Sequence, residues 1–264
     1  MKQHQARKRF GQNFLTDSGV IDRIIQSINP KQDERLIEIG PGLGALTCPL
    51  LSQAGKLDVI ELDRDIIPKL QLNCGTRGEL TVHQCDVLKF DFNELVTEGE
   101  HLRLIGNLPY NISTPIIFHL VNYAQHIHDM HFMLQKEVVQ RLGAAPGSSD
   151  YSRLSVMTQY YFKVSPLFLV PPEAFSPRPK VDSAIVRLRP YKTPPVDIHD
   201  EVAFRKMINQ AFSQRRKTLR NVLKSECSVA QIEAAELDPG QRAEQLSLQQ
   251  FARLFNIIHP KSPQ

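Results

Sequence analysis

From Arg35 to about Arg189 short apolar runs alternate with stretches of helical periodicity, and this alternation constrains the fold more than any other feature of the chain. Strands and amphipathic helices in that order bury their apolar faces together as βα units of a mostly parallel sheet. Candidate strands are Leu36 to Ile39, Leu57 to Glu61, Leu80 to His83, Leu102 to Gly106, His131 to Gln135, Phe162 to Leu169 and Ala184 to Leu188. Helical patterns lie near residues 44 to 54, 64 to 72, 114 to 124 and 137 to 142, with another at about 18 to 28 before the first strand. Between the last two strands, Val170 to Ser183 is too rich in proline for a crossover helix, so those two are expected to pair antiparallel.

Pro190, Pro194 and Pro195 end the strand signal. The reading is therefore an α/β domain over residues 1–190 and a small all-α domain over 191–264. In the second domain Phe204, Met207, Ile208, Ala211 and Phe212 share a helical face, with basic side chains on or beside it. A last helix opens at Ser247 with Gln250 three residues on, a capping box, and carries Leu248, Phe251, Leu254 and Phe255.

A hydrophobic fraction of 41% with 23% charged residues fits a globular protein, and no apolar run approaches the roughly 20 residues of a membrane helix. The basic segment from Met1 to Phe10 is followed by no apolar stretch, so no secretory signal is expected, and the cytoplasm is the expected compartment. Cys48, Cys74, Cys85 and Cys227 show no CxxC spacing; they read as reduced thiols, with neither a disulfide framework nor a metal site. The net charge of +4 is uneven: residues 1–9 and 181–264 each carry an excess of four positive charges, and residues 10–180 an excess of four negative. Basic ends around an acidic middle suit a polyanionic partner.

The chemistry is concentrated in the first domain. Glu38-Ile39-Gly40-Pro41-Gly42-Leu43-Gly44-Ala45 follows a strand and opens a helix, where glycines let the backbone approach a ligand. The motif satisfies both a GxGxG pattern and the dinucleotide fingerprint, so it leaves the cofactor class open. Glu61 stands 21 residues after Gly40, at the end of the second strand, where a carboxylate can accept from two ribose hydroxyls in either class. Asp86 follows the third strand, placed to accept an adenine amine or to cap a turn. After the fourth strand comes Asn107-Leu108-Pro109-Tyr110. An exocyclic amine is a poor nucleophile because its lone pair is delocalised into the ring. The side-chain oxygen of Asn107 and the carbonyl of Leu108, held rigid by Pro109, could take its protons and aim the lone pair at an electrophilic methyl. Tyr110 would stack on the base, worth roughly 1–3 kcal/mol, against the few kcal/mol that flipping a base costs.

At these residues the chain resembles the KsgA-type ribosomal RNA adenine N6-dimethyltransferases, relatives of the erythromycin-resistance methyltransferases. The resemblance begins at Arg9-Phe10-Gly11-Gln12-Asn13-Phe14-Leu15. It continues through Gly40 to Gly44 and Asn107-Leu108-Pro109-Tyr110-Asn111-Ile112-Ser113-Thr114-Pro115, and ends in Phe175-Ser176-Pro177-Arg178-Pro179-Lys180-Val181-Asp182-Ser183. It implies a Rossmann-like class I methyltransferase fold, a mostly parallel seven-stranded sheet with an antiparallel strand, and S-adenosylmethionine as cofactor. Asn13 and Leu15 would contact the cofactor from the N-terminal arm, Gly40 would sit against its methionine and ribose portion, and Glu61 would bind the ribose hydroxyls. Asp86 would hold its adenine, and Asn107 would lie beside both cofactor and target amine. Phe175 would give the second face of an aromatic clamp opposite Tyr110. Ser152 stands where the family usually has glycine.

Leu108 followed by Asn-Ile-Ser-Thr-Pro is similar to the small-subunit branch. The implied activity is dimethylation of two adjacent adenosines in a hairpin loop near the 3′ end of 16S ribosomal RNA in the immature 30S subunit, with a role in its biogenesis. Arg215, Arg216, Lys217 and Arg220 resemble the family's RNA-binding domain. The alternatives are a 23S adenine methyltransferase of the macrolide-resistance type, an assembly factor in which catalysis is secondary, and a nicotinamide-dependent dehydrogenase. The last leaves Asn107 to Tyr110 unexplained.

Overall fold

The computed structural model describes residues 13–32 and 34–261. Its elements in chain order begin with β1 (Phe14–Leu15), α1 (Ser18–Ile28), β2 (Arg35–Ile39), α2 (Thr47–Ala54), β3 (Lys56–Glu61), α3 (Ile67–Cys74) and β4 (Glu79–Gln84). Next come β5 (Leu102–Asn107), α4 (Ser113–Leu120), β6 (Ile127–Gln135), α5 (Lys136–Leu142), α6 (Arg153–Tyr161) and β7 (Phe162–Val170). The chain ends with β8 (Phe175–Ser176), β9 (Ser183–Pro190), α7 (Glu201–Ala211), α8 (Leu219–Val222), α9 (Val229–Ala234) and α10 (Leu248–Ile258).

Seven strands form one sheet in the order β4-β3-β2-β5-β6-β9-β7. The pairs from β4 to β6 are all parallel, and β9 runs antiparallel to β6 with Ser183 opposite Gln135. Chain order reverses at β2, which lies between β3 and β5, so a crevice opens at the carboxyl ends of β2 and β5. Strands β2 and β5 are buried almost throughout, so apolar residues fall on both of their faces rather than alternating, with Glu38 and Arg103 as buried polar exceptions. Helix α1 is fixed at both ends: Asp17 accepts from the Val20 N–H at 2.9 Å, and Asn29 closes it in a left-handed conformation. A second, two-stranded sheet went unforeseen; β1 pairs antiparallel with β8, Leu15 opposite Phe175.

The chain divides into two compact units, one of Met1–Val139 with Ser165–Pro190 and one of Gln140–Val164 with Tyr191–Gln264. A single cut at residue 190 therefore misassigns residues 140–164. That stretch includes α6, which the sequence reading left without a helix, and whose Tyr160 and Phe204 rings meet at 5.4 Å within the helical unit. Ser152 precedes α6 in extended backbone, φ −155°, and its N–H donates to Ser155 Oγ at 3.0 Å, so no glycine is needed there. In the same unit α7 buries Phe204, Met207, Ile208 and Ala211, while α10 buries Leu248, Phe251, Leu254 and Phe255 behind the Ser247 capping box.

The expectation that all four cysteines are reduced thiols is corrected for two of them: Cys48 and Cys74 are disulfide-bonded, with Cα atoms 4.9 Å apart. They lie 26 residues apart, one on α2 and one at the end of α3, so packing of those helices brings them together and sequence spacing gives no sign of it. Cys85 and Cys227 are free thiols.

Buried polar groups at the other end of the sheet have a measurable consequence. Arg103 binds Asp129 at 2.9 and 3.1 Å, Glu34 at 2.6 Å and the Ile28 carbonyl at 2.8 Å, tying α1, β5 and β6 together. Beside it His131 is buried with neither ring nitrogen hydrogen-bonded; Asp129, at 3.8 Å, is too far to accept. Burial pushes the His131 pKa from 6.5 down to about 4; Asp129 opposes this and Arg103 reinforces it. The unfolded chain therefore binds the extra proton between these values, and the stability this residue withdraws grows as pH falls from 6.5 to 4, to roughly 3 kcal/mol. His131→Leu should flatten the acid limb of urea-unfolding free energies measured from pH 7 to 4. Retention of the parent slope would refute the assignment.

Candidate active site

The crevice at the ends of β2 and β5 holds a cavity of about 820 Å³. Most of the residues singled out by sequence converge there: Asn13, Leu15, Gly40, Glu61, Asp86, Asn107, Leu108, Pro109 and Tyr110 all line it. Gly40, Gly42 and Gly44 each have positive φ, 68°, 56° and 96°, which lets the chain leave β2 and turn into α2 within a few residues. A Cβ on Gly42 would stand 3.2 Å from two ring carbons of Phe14, so the N-terminal arm rests on the bare face of this turn.

Asn107 ends β5, and the following residues turn, the Ile112 N–H donating to the Pro109 carbonyl at 3.1 Å before α4 begins at Ser113. Asn107 Nδ2 donates to the Asn13 carbonyl at 3.0 Å. That bond orients the amide, leaving Oδ1 as an acceptor. The Leu108 N–H is committed to the Met133 carbonyl at 3.2 Å, which fixes this peptide against β6. Tyr110 is half-buried and its hydroxyl lies 2.7 Å from Ser183 Oγ.

Two carboxylates occupy the ends of neighbouring strands. Glu61 Oε1 accepts from the Asp63 N–H at 2.8 Å; burial raises its pKa, and the N–H groups of Asp63, Gly42 and Leu62 oppose the rise. Asp86 Oδ1 accepts from the Leu88 N–H at 3.0 Å and so caps a short 3-10 turn, which is the alternative its sequence context allowed. Sequence reasoning gave Glu38 no role, although it stands at the head of the glycine motif. It lines the cavity 2% exposed, accepts from Thr47 Oγ1 at 2.6 Å, and burial pushes its pKa up to about 7.

Phe175 is not brought to the cavity. It is 4% exposed and packs in the core with Leu15, Val20, Ile24 and Ile185, because its pairing opposite Leu15 turns it into the apolar layer. The expectation of a second aromatic face at Phe175 is therefore not met in this structure. Arg215, Arg216 and Lys217 sit on a turn just after α7, and Arg220 lies on α8. All four are exposed; Arg215 also binds Glu244 at 3.1 Å and the Ser149 carbonyl at 2.7 Å. Arg9 to Gln12 lie outside the described residues. Among the described residues no cluster of His, Cys, Asp and Glu could hold a metal, and no helix is long and apolar enough to cross a membrane.

The charge of the lining favours one of the two cofactor classes. Among its described residues three acids, Glu38, Glu61 and Asp86, share the lining with a single cation, Arg77; Glu38, with its pKa pushed up to about 7, is only partly ionised, so the negative excess rests mainly on Glu61 and Asp86. Such a wall opposes a pyrophosphate and accommodates a cationic sulfonium nucleoside. The glycine turn, Glu61 at the end of β3 and Asp86 just after β4 together fit S-adenosylmethionine, and fold and site define a class I methyltransferase. The model of the family described as ribosomal RNA adenine dimethylase matches residues 3–260, and the chain belongs to that family. Ribosomal RNA small subunit methyltransferase A of Pseudomonas aeruginosa is 59% identical, over 97% of this chain and 96% of its own. The protein of that name from Chromohalobacter salexigens is 56% identical over 98% and 94%. Among solved structures, a dimethyladenosine transferase from Plasmodium falciparum superposes with TM-score 0.77 at 27% identity, covering 91% of this chain and 95% of that one. The 23S rRNA methyltransferase ErmE gives 0.73 at 26%, covering 93% and 99%.

Proposed function

We propose that the chain dimethylates the N6 amines of two adjacent adenosines in a hairpin loop near the 3′ end of 16S ribosomal RNA, acting in the cytoplasm on the immature 30S subunit during its biogenesis. The observation that carries this reading is the convergence of Asn107, Leu108 and Tyr110 on the glycine turn in one acidic cavity. When bound, S-adenosylmethionine supplies a methyl on a sulfonium whose thioether is a good leaving group. Glu61 would hold the ribose hydroxyls and Asp86 Oδ2 the adenine amine, its Oδ1 being spent on the cap. Asn107 Oδ1 and the Leu108 carbonyl would accept the two protons of the target amine, which localises its lone pair. Tyr110 would stack on the target base. Rate then comes from positioning, since the amine loses its proton to solvent after transfer. Identity of 54 to 59% to several small-subunit enzymes, against 26% to the 23S enzyme, supports the small-subunit branch.

The test is mass spectrometry of ribosomal RNA from a deletion strain complemented with parent or Asn107→Ala protein. Loss of N6-dimethyladenosine from 16S RNA, restored by the parent alone, is expected. Loss from 23S RNA, or restoration by the variant, would overturn the reading.

Arg216, Lys217 and Arg220, exposed on the helical unit, would meet RNA phosphates. Replacing all three with alanine should weaken binding to small-subunit particles and lower the slope of log K against log salt by about 2–3, at roughly 0.7–0.9 per phosphate contact. An unchanged slope in filter binding would place the RNA elsewhere.

A further inference from the structure

We infer that Ser183 is a positioning residue that holds the ring of Tyr110 at the angle needed to stack on the target base, through the 2.7 Å hydrogen bond between their hydroxyls. The inference rests on the proposed base-stacking role of Tyr110. It assigns a purpose to the last residue of the Phe175 to Ser183 motif, whose first residue turned out to be buried.

Tyr110 stands on a turn, and its backbone offers little to fix the ring. Its carbonyl accepts from Ser113 Oγ at 3.3 Å, which holds the turn, while the far end of the ring is held by the hydroxyl bond to Ser183 Oγ. Ser183 supplies that end point from a rigid place. It opens β9 opposite Gln135 of β6, and next to it the Lys136 N–H donates to the Asp182 carbonyl at 3.0 Å while Lys136 Nζ reaches Asp182 Oδ2 at 3.4 Å. Because β9 runs antiparallel, its first residue lies at the carboxyl ends of the parallel strands, level with the cavity. Ser183 is 0% exposed, so its hydroxyl is cut off from water and depends on a protein partner, which is the Tyr110 hydroxyl. A buried serine beside an apolar strand has no packing advantage over alanine; its hydroxyl is explained by what it holds.

The test compares Ser183→Ala, Tyr110→Phe and the double variant with the parent. Initial rates of methyl transfer are measured on small subunits from cells lacking this gene. Removing one hydrogen bond should lower kcat roughly five- to tenfold in either single variant, with KM for S-adenosylmethionine within about twofold, and the double variant should fall no further than the singles. A loss confined to kcat separates ring placement from general damage to the cavity. Tyr110→Phe removes the same bond from a half-buried position and decides the matter if Ser183→Ala does not fold. Single variants at parental kcat, or losses that multiply in the double variant, would overturn the inference. Should the parent itself leave the particles unmethylated, the functional reading fails, and the tether is decided separately. The fluorine resonance of 3-fluorotyrosine at position 110 must then shift in Ser183→Ala, and an unmoved resonance sinks it.

Discussion

Asn107→Ala is expected to lower kcat for methyl transfer by ~10²–10³-fold, the scale on which removal of one preorganised polar partner of a transition state acts. The size follows from what the side chain does at each end. Nδ2 is committed to the Asn13 carbonyl, so Oδ1 is left to accept, and alanine removes the acceptor together with the bond that orients it. The Leu108 carbonyl alone would accept one amine proton and leave the lone pair in the ring. Affinity for S-adenosylhomocysteine, measured by calorimetry, should change less than about fivefold because the proposed ribose and adenine partners, Glu61 and Asp86, remain. Asn107→Asp retains an acceptor but loses the donor to Asn13, and its rate should fall between parent and alanine. A kcat for Asn107→Ala within tenfold of the parent would remove Oδ1 from the mechanism.

The strands and the cavity were legible for one reason: both are written locally. Strands β2 and β5 are buried on both faces, so apolar residues dominate both, interrupted only by Glu38 and Arg103, and Gly40 to Gly44 and Asn107 to Tyr110 are short turns attached to their ends. What the sequence hid depends on packing between distant segments. The Cys48–Cys74 bond, the placing of Phe175 opposite Leu15, and the transfer of residues 140–164 to the helical unit each join parts of the chain that carry no mutual signal. The capping box at Ser247 was readable for the opposite reason, since its partners are three residues apart. Glu38 falls between the two cases: the motif displays it, but its burial and its bond to Thr47 appear only when α2 folds over the turn.

Gly44→Ala should destabilise the protein by roughly 2–6 kcal/mol, the sum of a strained left-handed backbone and an overpacked contact, and weaken cofactor binding by more than about tenfold. At φ 96° an added Cβ would lie 2.5 Å from Cys74 Sγ, 3.1 Å from Leu70 Cδ1 and 3.2 Å from Cys48 Sγ. A flexible side chain could yield to such a contact, but the two sulfur atoms are bonded to each other and anchored on two helices. The strain must pass into the turn, whose Gly44 carbonyl accepts from the Cys48 N–H at 3.0 Å and so sets the start of α2. Gly55→Ala supplies the control: φ is 79° but nothing lies within 4 Å, so only the backbone term, roughly 1–3 kcal/mol, applies. In a Cys48→Ala, Cys74→Ala background only the 3.1 Å contact with the end of the Leu70 side chain remains, and Gly44→Ala should cost little more than Gly55→Ala does. Urea unfolding of these variants, with S-adenosylhomocysteine titrations alongside, separates the terms. A Gly44→Ala penalty that is the same with and without the sulfur atoms would show that the glycine is required by backbone conformation alone.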